Sequence, residues 1–198
     1  PADAGDISIG GESMTAAKSG DDRRRICSQM GVLFQGAALF DSMTLLDNVA
    51  FPLRERGELS YEEIIKRSVQ KLEEVDLNGY ELAMPGEVSI GMRKRVGIAR
   101  ALVTEPEVIL FDEPNTGLDP KVGQEIYELI NRTHEHFKFT GIVISHEIPE
   151  VFQVSSRVAM LYKGKVRQDG TVDDFLNSDN PVVQQFVRGD IEGPIEIG

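Results

Sequence analysis

The chain has 198 residues, 40% of them apolar and 27% charged, which is ordinary for a globular protein; at ~150 residues per domain it makes one domain, or one with an insertion. Its 33 acidic and 21 basic side chains leave a net charge of −12, which argues against a general nucleic-acid binder and against electrostatic attachment to anionic lipid. The single cysteine, Cys27, excludes an internal disulfide framework, and no run approaches the ~18 apolar residues of a membrane span, so a soluble domain of cytoplasmic type is expected.

In chain order, residues 7–9 and 26–34 read as strands, and the polar stretch between them, 10–25, as turn or edge structure. From 42 to 101 the pattern is helical. Ser60 and Glu63 have the spacing of a capping box, in which the two side chains satisfy each other's orphan N–H groups. Behind them Ile65, Val69, Leu72 and Val75 recur at helical spacing and define one apolar face. Residues 108–111 form a continuous apolar run, as expected for a strand buried on both faces of a parallel sheet. Residues 122–137 read as an amphipathic helix with Ile126, Leu129 and Ile130 on one side, and 141–145 as a second buried strand. Strands at 158–162 and 165–168 flank Lys163 and Gly164, a hairpin turn. Thr171 and Asp174 cap a short helix, Pro181 after Asn180 opens another, and 190–198 has no period and reads as a tail. The alternation gives an α/β fold with a mostly parallel sheet and a helical insertion.

In open α/β sheets ligands bind outside the carboxyl ends of the strands. Asp112 and Glu113 stand there, directly after the 108–111 run. An ionised carboxylate at the end of a buried strand is costly unless paired or metal-bound. The pair is therefore either an ordinary polar strand exit or a working one, with Asp112 in a Mg²⁺ shell and Glu113 acting as base on a water, which fits nucleotide hydrolysis. At the end of the next strand His146 either caps the turn or donates to a phosphate oxygen near a helix N-terminus. Gln35, at the end of an earlier strand, is by itself as much a surface residue as a metal ligand. Ser89 opens a basic helix carrying Arg93, Lys94, Arg95 and Arg100; with Gly91 beside it, it is either a simple cap or the start of an anion site.

Taken in order, Gln35, residues 88–92 (Val-Ser-Ile-Gly-Met), Val108 to Glu113, Gly117-Leu118-Asp119 and His146 resemble the nucleotide-binding subunit of ABC transporters over nearly the whole chain. The resemblance implies a P-loop NTPase core, ATP and Mg²⁺ as cofactors, and a head-to-tail homodimer. Gln35 is then the Q-loop glutamine, shared between nucleotide and metal. Ser89 and Gly91 belong to the signature motif, Asp112 is the metal-binding Walker B aspartate, and Glu113 is the catalytic carboxylate. Asp119 is the D-loop aspartate and His146 the switch histidine, so that Gln35, Glu113 and His146 are expected to converge. Residues 31–40 and 47–54, with Met92 where glutamine is usual, are similar to the ATPases of Mla/MCE-type phospholipid transport systems, as are Gln185 to Gly189 and Gly193-Pro194. That likeness implies a permease in the inner membrane and an MCE-type lipid-binding protein as partners, no nucleic acid, and a place on the cytoplasmic side of the membrane. Residues 40–53 are either where the permease docks, with Leu45, Val49 and Leu53 at helical spacing, or a face buried within the subunit.

The implied segments are 1–41, the core after the P-loop; 42–103, the helical subdomain with the signature helix; 104–178, the remainder of the core; and 179–198, a C-terminal extension. Two features depart from the family pattern. Ile90 replaces the first glycine of the signature, and a β-branched side chain there can hinder close approach to a phosphate. No Gly-x-x-x-x-Gly-Lys-[Ser/Thr] occurs, so the core is expected to lack its N-terminal P-loop segment, to expose apolar surface where that segment packs, and to turn ATP over negligibly by itself. The rival readings are the ATPase of another ABC importer or exporter, a non-transport ABC ATPase acting on DNA or the ribosome, and an inert module that holds a partner.

Overall fold

The computed structural model describes residues 3–195, so Pro1 and the last part of the expected tail, 196–198, lie outside the described residues. The chain forms two compact units, Pro1–Ile144 and Ser145–Gly198.

In the first unit β1 (Ser8–Ile9) and β2 (Glu12–Ser13) make a short antiparallel ribbon. The next element departs from the expected turn-and-strand. Residues Gly20–Cys27 are a helix, α1, and take Ile26 with them, leaving only Met30–Leu33 as strand β3. The cause is local. Ser19 accepts from the Asp22 N–H while the Asp22 carboxylate accepts from the Ser19 N–H, and acidic residues in the first turn with Arg24 and Arg25 in the last match the helix dipole. Ile26 then turns inward, 2% exposed.

The sheet has the order β3-β4-β5, with β4 at Val108–Asp112, β5 at Thr140–Ile144 and both pairings parallel. It is not buried on both faces. Along β4 burial alternates, with Ile109 and Phe111 covered while Val108 and Leu110 are half-buried, and in β5 Ile142 and Ile144 are 51% and 60% exposed. Among the described residues, the helix Ile90–Leu102 packs against the side of β3 that carries Leu33, while β5 has no fully buried residue. Val32, Leu110 and Ile142 share the other face through the pairing register.

Of the helices α2 (Leu45–Arg56), α3 (Tyr61–Glu74), α4 (Ile90–Leu102) and α5 (Pro120–Phe137), α4 packs on β3 and the other three pack on α4. Helix α4 packs on β3 so closely that a Cβ on Gly97 would lie 2.5 Å from Leu33 Cδ1. At Ser60 only half of the expected capping box forms: Ser60 accepts from the Glu63 N–H, whereas the Glu63 carboxylate binds Arg67 at 2.7 Å. The buried face of α3 carries Ile64, Ser68, Lys71 and Leu72, and Val75 follows it, while Ile65 and Val69 are half-buried. Lys71 is accommodated by Glu74 at 2.8 Å and by the Phe137 ring, 3.8 Å from its ammonium.

The end of α3 is tied to α4 and α5 by charge. Arg95 reaches Asp76 at 3.0 Å and Glu125 at 3.2 Å, and Arg132 reaches Asp76 at 2.7 Å. The hydrogen bond from Arg132, then the charges of Arg132 and Arg95, hold the Asp76 carboxyl below the usual carboxylate range. A depressed carboxylate contributes stability above its unfolded pKa and loses it as pH falls through the folded value. Asp76→Asn is therefore expected to cost no more than about 1 kcal/mol of stability at pH 7, because Asp76 is largely exposed. In thermal melts the difference from wild type should begin to shrink below about pH 4 and vanish once pH falls under the depressed folded value. Asparagine tolerates the left-handed φ of 61° at this position, so the comparison isolates the charge.

The second unit holds the hairpin β6 (Val158–Tyr162) and β7 (Lys165–Gly170), whose turn residues Lys163 and Gly164 both have positive φ, then α6 (Val172–Leu176) and α7 (Pro181–Arg188). Met160, Phe175 and Val183 form its core. The expected tail has no helix or strand among the described residues, yet it is fastened. The buried Gln185 side chain donates to the carbonyls of Asp190 and Ile195, accepts from the Ile195 N–H at 2.6 Å, and brings Ile195 onto the core.

Candidate functional site

Asp112 is the last residue of β4, half-buried and in register with Ile144. The chain then leaves the sheet abruptly. Glu113 has a φ of 46°, a left-handed conformation costing a non-glycine residue about 1–3 kcal/mol, and it is held there by its neighbours. Its N–H donates to the Ile144 carbonyl at 2.9 Å, and its own carbonyl accepts from Lys94 Nζ at 2.9 Å. The carboxylate is fixed too: Oε2 accepts from Gln35 Nε2 at 3.1 Å and from Thr116 Oγ1 at 3.0 Å. Two residues far apart in sequence, Gln35 after β3 and Glu113 after β4, thus meet at the carboxyl end of the sheet, where the topology predicts a ligand.

The loop that carries Gln35 is unusual in its backbone. Gly36, Ala37 and Ala38 have φ of 73°, 66° and 44°. The Arg100 guanidinium, whose pKa burial pulls below its ordinary value, donates to the carbonyls of Ala37 at 2.6 Å and Ala38 at 2.9 Å. Ala37 is fully buried, and a Cβ on Gly97 would meet its own Cβ at 3.2 Å. Helix α4 therefore holds both partners of the Gln35–Glu113 contact.

Ser89 and Asp119 are both N-caps. Ser89 Oγ accepts from the Met92 N–H at 3.2 Å, and Asp119 Oδ1 accepts from the N–H groups of Lys121 and Val122, each at 3.2 Å. Gly91 is buried, and a Cβ there would stand 2.7 Å from Val122 Cγ1, so its smallness lets the start of α4 close on the first turn of α5. Ile90 is 47% exposed and turns away from that contact. His146 lies two residues beyond β5, in the second unit, where the Glu147 N–H donates to Ser145 Oγ at 3.1 Å. The helix expected close after His146 is a short 3-10 turn, Glu150–Val154.

Leu45, Val49 and Leu53 are 0%, 0% and 3% exposed, so the apolar spacing of α2 is core packing. The surface beside it is a groove of about 450 Å³ lined by Phe34, Phe40, Phe51, Pro52, Glu55 and Arg56 among others, with the Phe40 and Phe51 rings 4.8 Å apart.

Among the described residues, no group of three or more His, Cys, Asp and Glu side chains is placed to hold a metal unaided. Gln35, Asp112 and Glu113 offer instead a hard oxygen set at one sheet end, which suits Mg²⁺, an ion usually bound by one or two carboxylates together with substrate phosphates. Sequence reasoning missed Thr116 and Lys94 as parts of the site. Lys94 lies on the Gly91–Ile98 stripe of α4 and is 1% exposed; that helical spacing was the available signal, whereas nothing local marks Thr116.

Residues 1–116 match the family model described as ABC transporter. The chain is 41% identical over 167 residues, 84% of its length, to the intermembrane phospholipid transport system ATP-binding protein MlaF of Haemophilus influenzae, and covers 63% of that protein. It is 44% identical over 165 residues, 83% of its length, to the probable ribonucleotide transport ATP-binding protein mkl of Mycobacterium leprae, and covers 48% of it. The chain thus spans between about half and two thirds of these curated relatives. Among solved structures it is similar, with a TM-score of 0.75 and 29% identity, to a dimeric ATP-binding cassette in a post-hydrolysis state bound to ADP and Pi, over 86% of this chain and 74% of that one.

Proposed function

Because the chain belongs to the ABC transporter family, we propose that it is part of an ATP-hydrolysing subunit that energises phospholipid transport of the Mla/MCE type. The observation that carries the catalytic part is the Gln35–Glu113 contact beside Asp112 at the sheet's carboxyl end. In this reading ATP sits between two copies of the subunit, each site joining Gln35, Asp112 and Glu113 of one copy to Ser89 and Gly91 of the other. Gln35 and Asp112 would hold Mg²⁺, which would supply charge neutralisation on the phosphate oxygens. Glu113 orients a water and accepts its proton as the water oxygen bonds to the γ-phosphorus and the bond to the bridging oxygen of ADP breaks. For His146, which would hold the γ-phosphate, the support is its place in the motif order. Asp119 acts by setting the start of α5, against which Gly91 packs. The Gly-x-x-x-x-Gly-Lys loop that cradles phosphate is not among residues 1–198, so these residues alone turn ATP over negligibly.

Among the described residues, no helix is long and apolar enough to cross a membrane. We place the subunit on the cytoplasmic face of the inner membrane through a permease seated in the Phe34–Phe40–Phe51 groove. That groove adjoins Gln35 in the chain, so a change at the γ-phosphate side is felt there. Reversing a two-state equilibrium from 1:99 to 99:1 takes ~5.5 kcal/mol of differential binding, within reach of nucleotides held across an interface. Glu55→Lys, on an exposed residue of the groove, is expected to abolish co-purification of the permease while leaving ATP binding intact; retention of the permease counts against docking there.

The cargo reading rests on the likeness of residues 31–40, 47–54, Met92, 185–189 and 193–194 to Mla/MCE ATPases and on the phospholipid relative. A second reading, another ABC cargo, is favoured by the ribonucleotide named for the mkl relative. Reconstitution of the full-length protein with its permease decides between them. ATP-dependent movement of labelled phospholipid supports the first reading, and ATP-dependent ribonucleotide uptake without lipid movement overturns it.

A further inference from the structure

Lys94 is 1% exposed, a position where a charged side chain is rare unless its ammonium is engaged. Its Nζ donates to the main-chain carbonyl of Glu113, the residue that leaves β4 with a left-handed φ of 46°. The peptide on the other side of Glu113 is anchored by the N–H bond to Ile144. Rotation of the Glu113 backbone is thereby blocked from both ends, by β5 through the amide and by α4 through the carbonyl. The same helix carries Arg100, which grips the carbonyls of Ala37 and Ala38 behind Gln35. It begins at Ser89, whose exposed side chain caps its first turn. One rigid element of 13 residues thus fixes the backbones behind both Gln35 and Glu113 and presents Ser89 at its end.

We propose that Lys94 is a positioning residue for Glu113, setting the direction of its carboxylate from the signature helix of the same chain. Resting on the reading of Glu113 as the catalytic carboxylate, the proposal adds a consequence: a displacement of α4 when Ser89 engages nucleotide in the partner's site is passed by Lys94 to the carboxylate of its own site. Lys94, 1% exposed and bonded to the Glu113 carbonyl, acts on the φ and ψ of Glu113. A carboxylate displaced by ~1 Å costs on the order of 10²-fold in rate, while ATP, held by other groups, binds as before.

The test uses the full-length protein and compares Lys94→Met, which removes the donor, with Lys94→Gln, which keeps a shorter one, and with Glu113→Gln as the reference. Steady-state phosphate release is expected to show kcat falling in the order wild type, Lys94→Gln, Lys94→Met, by roughly 10- to 100-fold for the last, with KM for ATP within about twofold. A purely structural lysine would lower only the folded fraction, which also cuts apparent kcat at unchanged KM, so kcat is taken per nucleotide-binding site counted by ATP titration; a loss that disappears on that count overturns the proposal. If Lys94→Met does not fold, Lys94→Gln decides alone: a fall in kcat of about threefold or more at unchanged KM supports the proposal, and anything less overturns it. If Glu113→Gln is inactive while the Lys94 variants turn over at the wild-type rate, the positioning role fails and the catalytic reading stands. If Glu113→Gln itself keeps wild-type turnover, the catalytic reading fails and the positioning role falls with it.

Discussion

Glu113→Gln in the full-length protein is expected to lower ATP turnover by ~10²–10⁴-fold, the usual loss when a general base is removed. The substitution is nearly isosteric, and its amide oxygen can still accept from Gln35 and Thr116, the two donors that hold the carboxylate at 3.1 and 3.0 Å. Folding and nucleotide affinity should therefore change little. With binding retained and hydrolysis stopped, the ATP-bound dimer should accumulate, and size-exclusion chromatography with Mg²⁺-ATP should show a species of twice the mass that wild type forms only transiently. Turnover within about threefold of wild type would remove Glu113 from the chemistry and leave its hydrogen bonds as a structural strand exit.

Gly31→Ala should have the largest effect on stability. Gly31 lies in β3 where α4 crosses it, and a Cβ added there would overlap the Ala101 carbonyl oxygen and come within 3.2 Å of Pro106 Cγ. The obstructing atom is backbone, which cannot rotate away, so β3 or α4 must shift. Overpacking of this kind costs typically about 1–3 kcal/mol, which for a chain of this length lowers the melting temperature by roughly 2–4 °C per kcal/mol. Gly86→Ala is the matched control, because nothing stands within 4 Å of its added Cβ. Equal melting temperatures for the two variants would show that the β3–α4 contact has slack. As β3 and α4 also hold Gln35 and Glu113, ATP turnover of the full-length protein should fall with the stability of Gly31→Ala and stay unchanged in Gly86→Ala.

Sequence order and local chemistry determined much of this protein. The caps at Ser60, Ser89, Thr171 and Asn180, the parallel strands after residues 108 and 140, the Lys163-Gly164 turn and the meeting of Gln35 with Glu113 all follow from short-range rules or from the order of motifs. Where local rules were read incompletely, the answer was still local: Ser19 and Asp22 turn residues 20–27 into a helix and draw Ile26 out of the strand. What only the tertiary structure decided concerns which side of an element meets a neighbour. A continuous apolar run does not say what covers its sheet: along β4 buried and half-buried residues alternate, and β5 has no buried residue among the described ones. Helical spacing at Leu45, Val49 and Leu53 fits an interface and a core equally, and packing made it core. Lys94 and Arg95 are chemically similar neighbours in a basic helix. A turn of about 100° between them sends one to the Glu113 carbonyl and the other to Asp76 and Glu125, and that difference exists only once α4 has settled on the sheet.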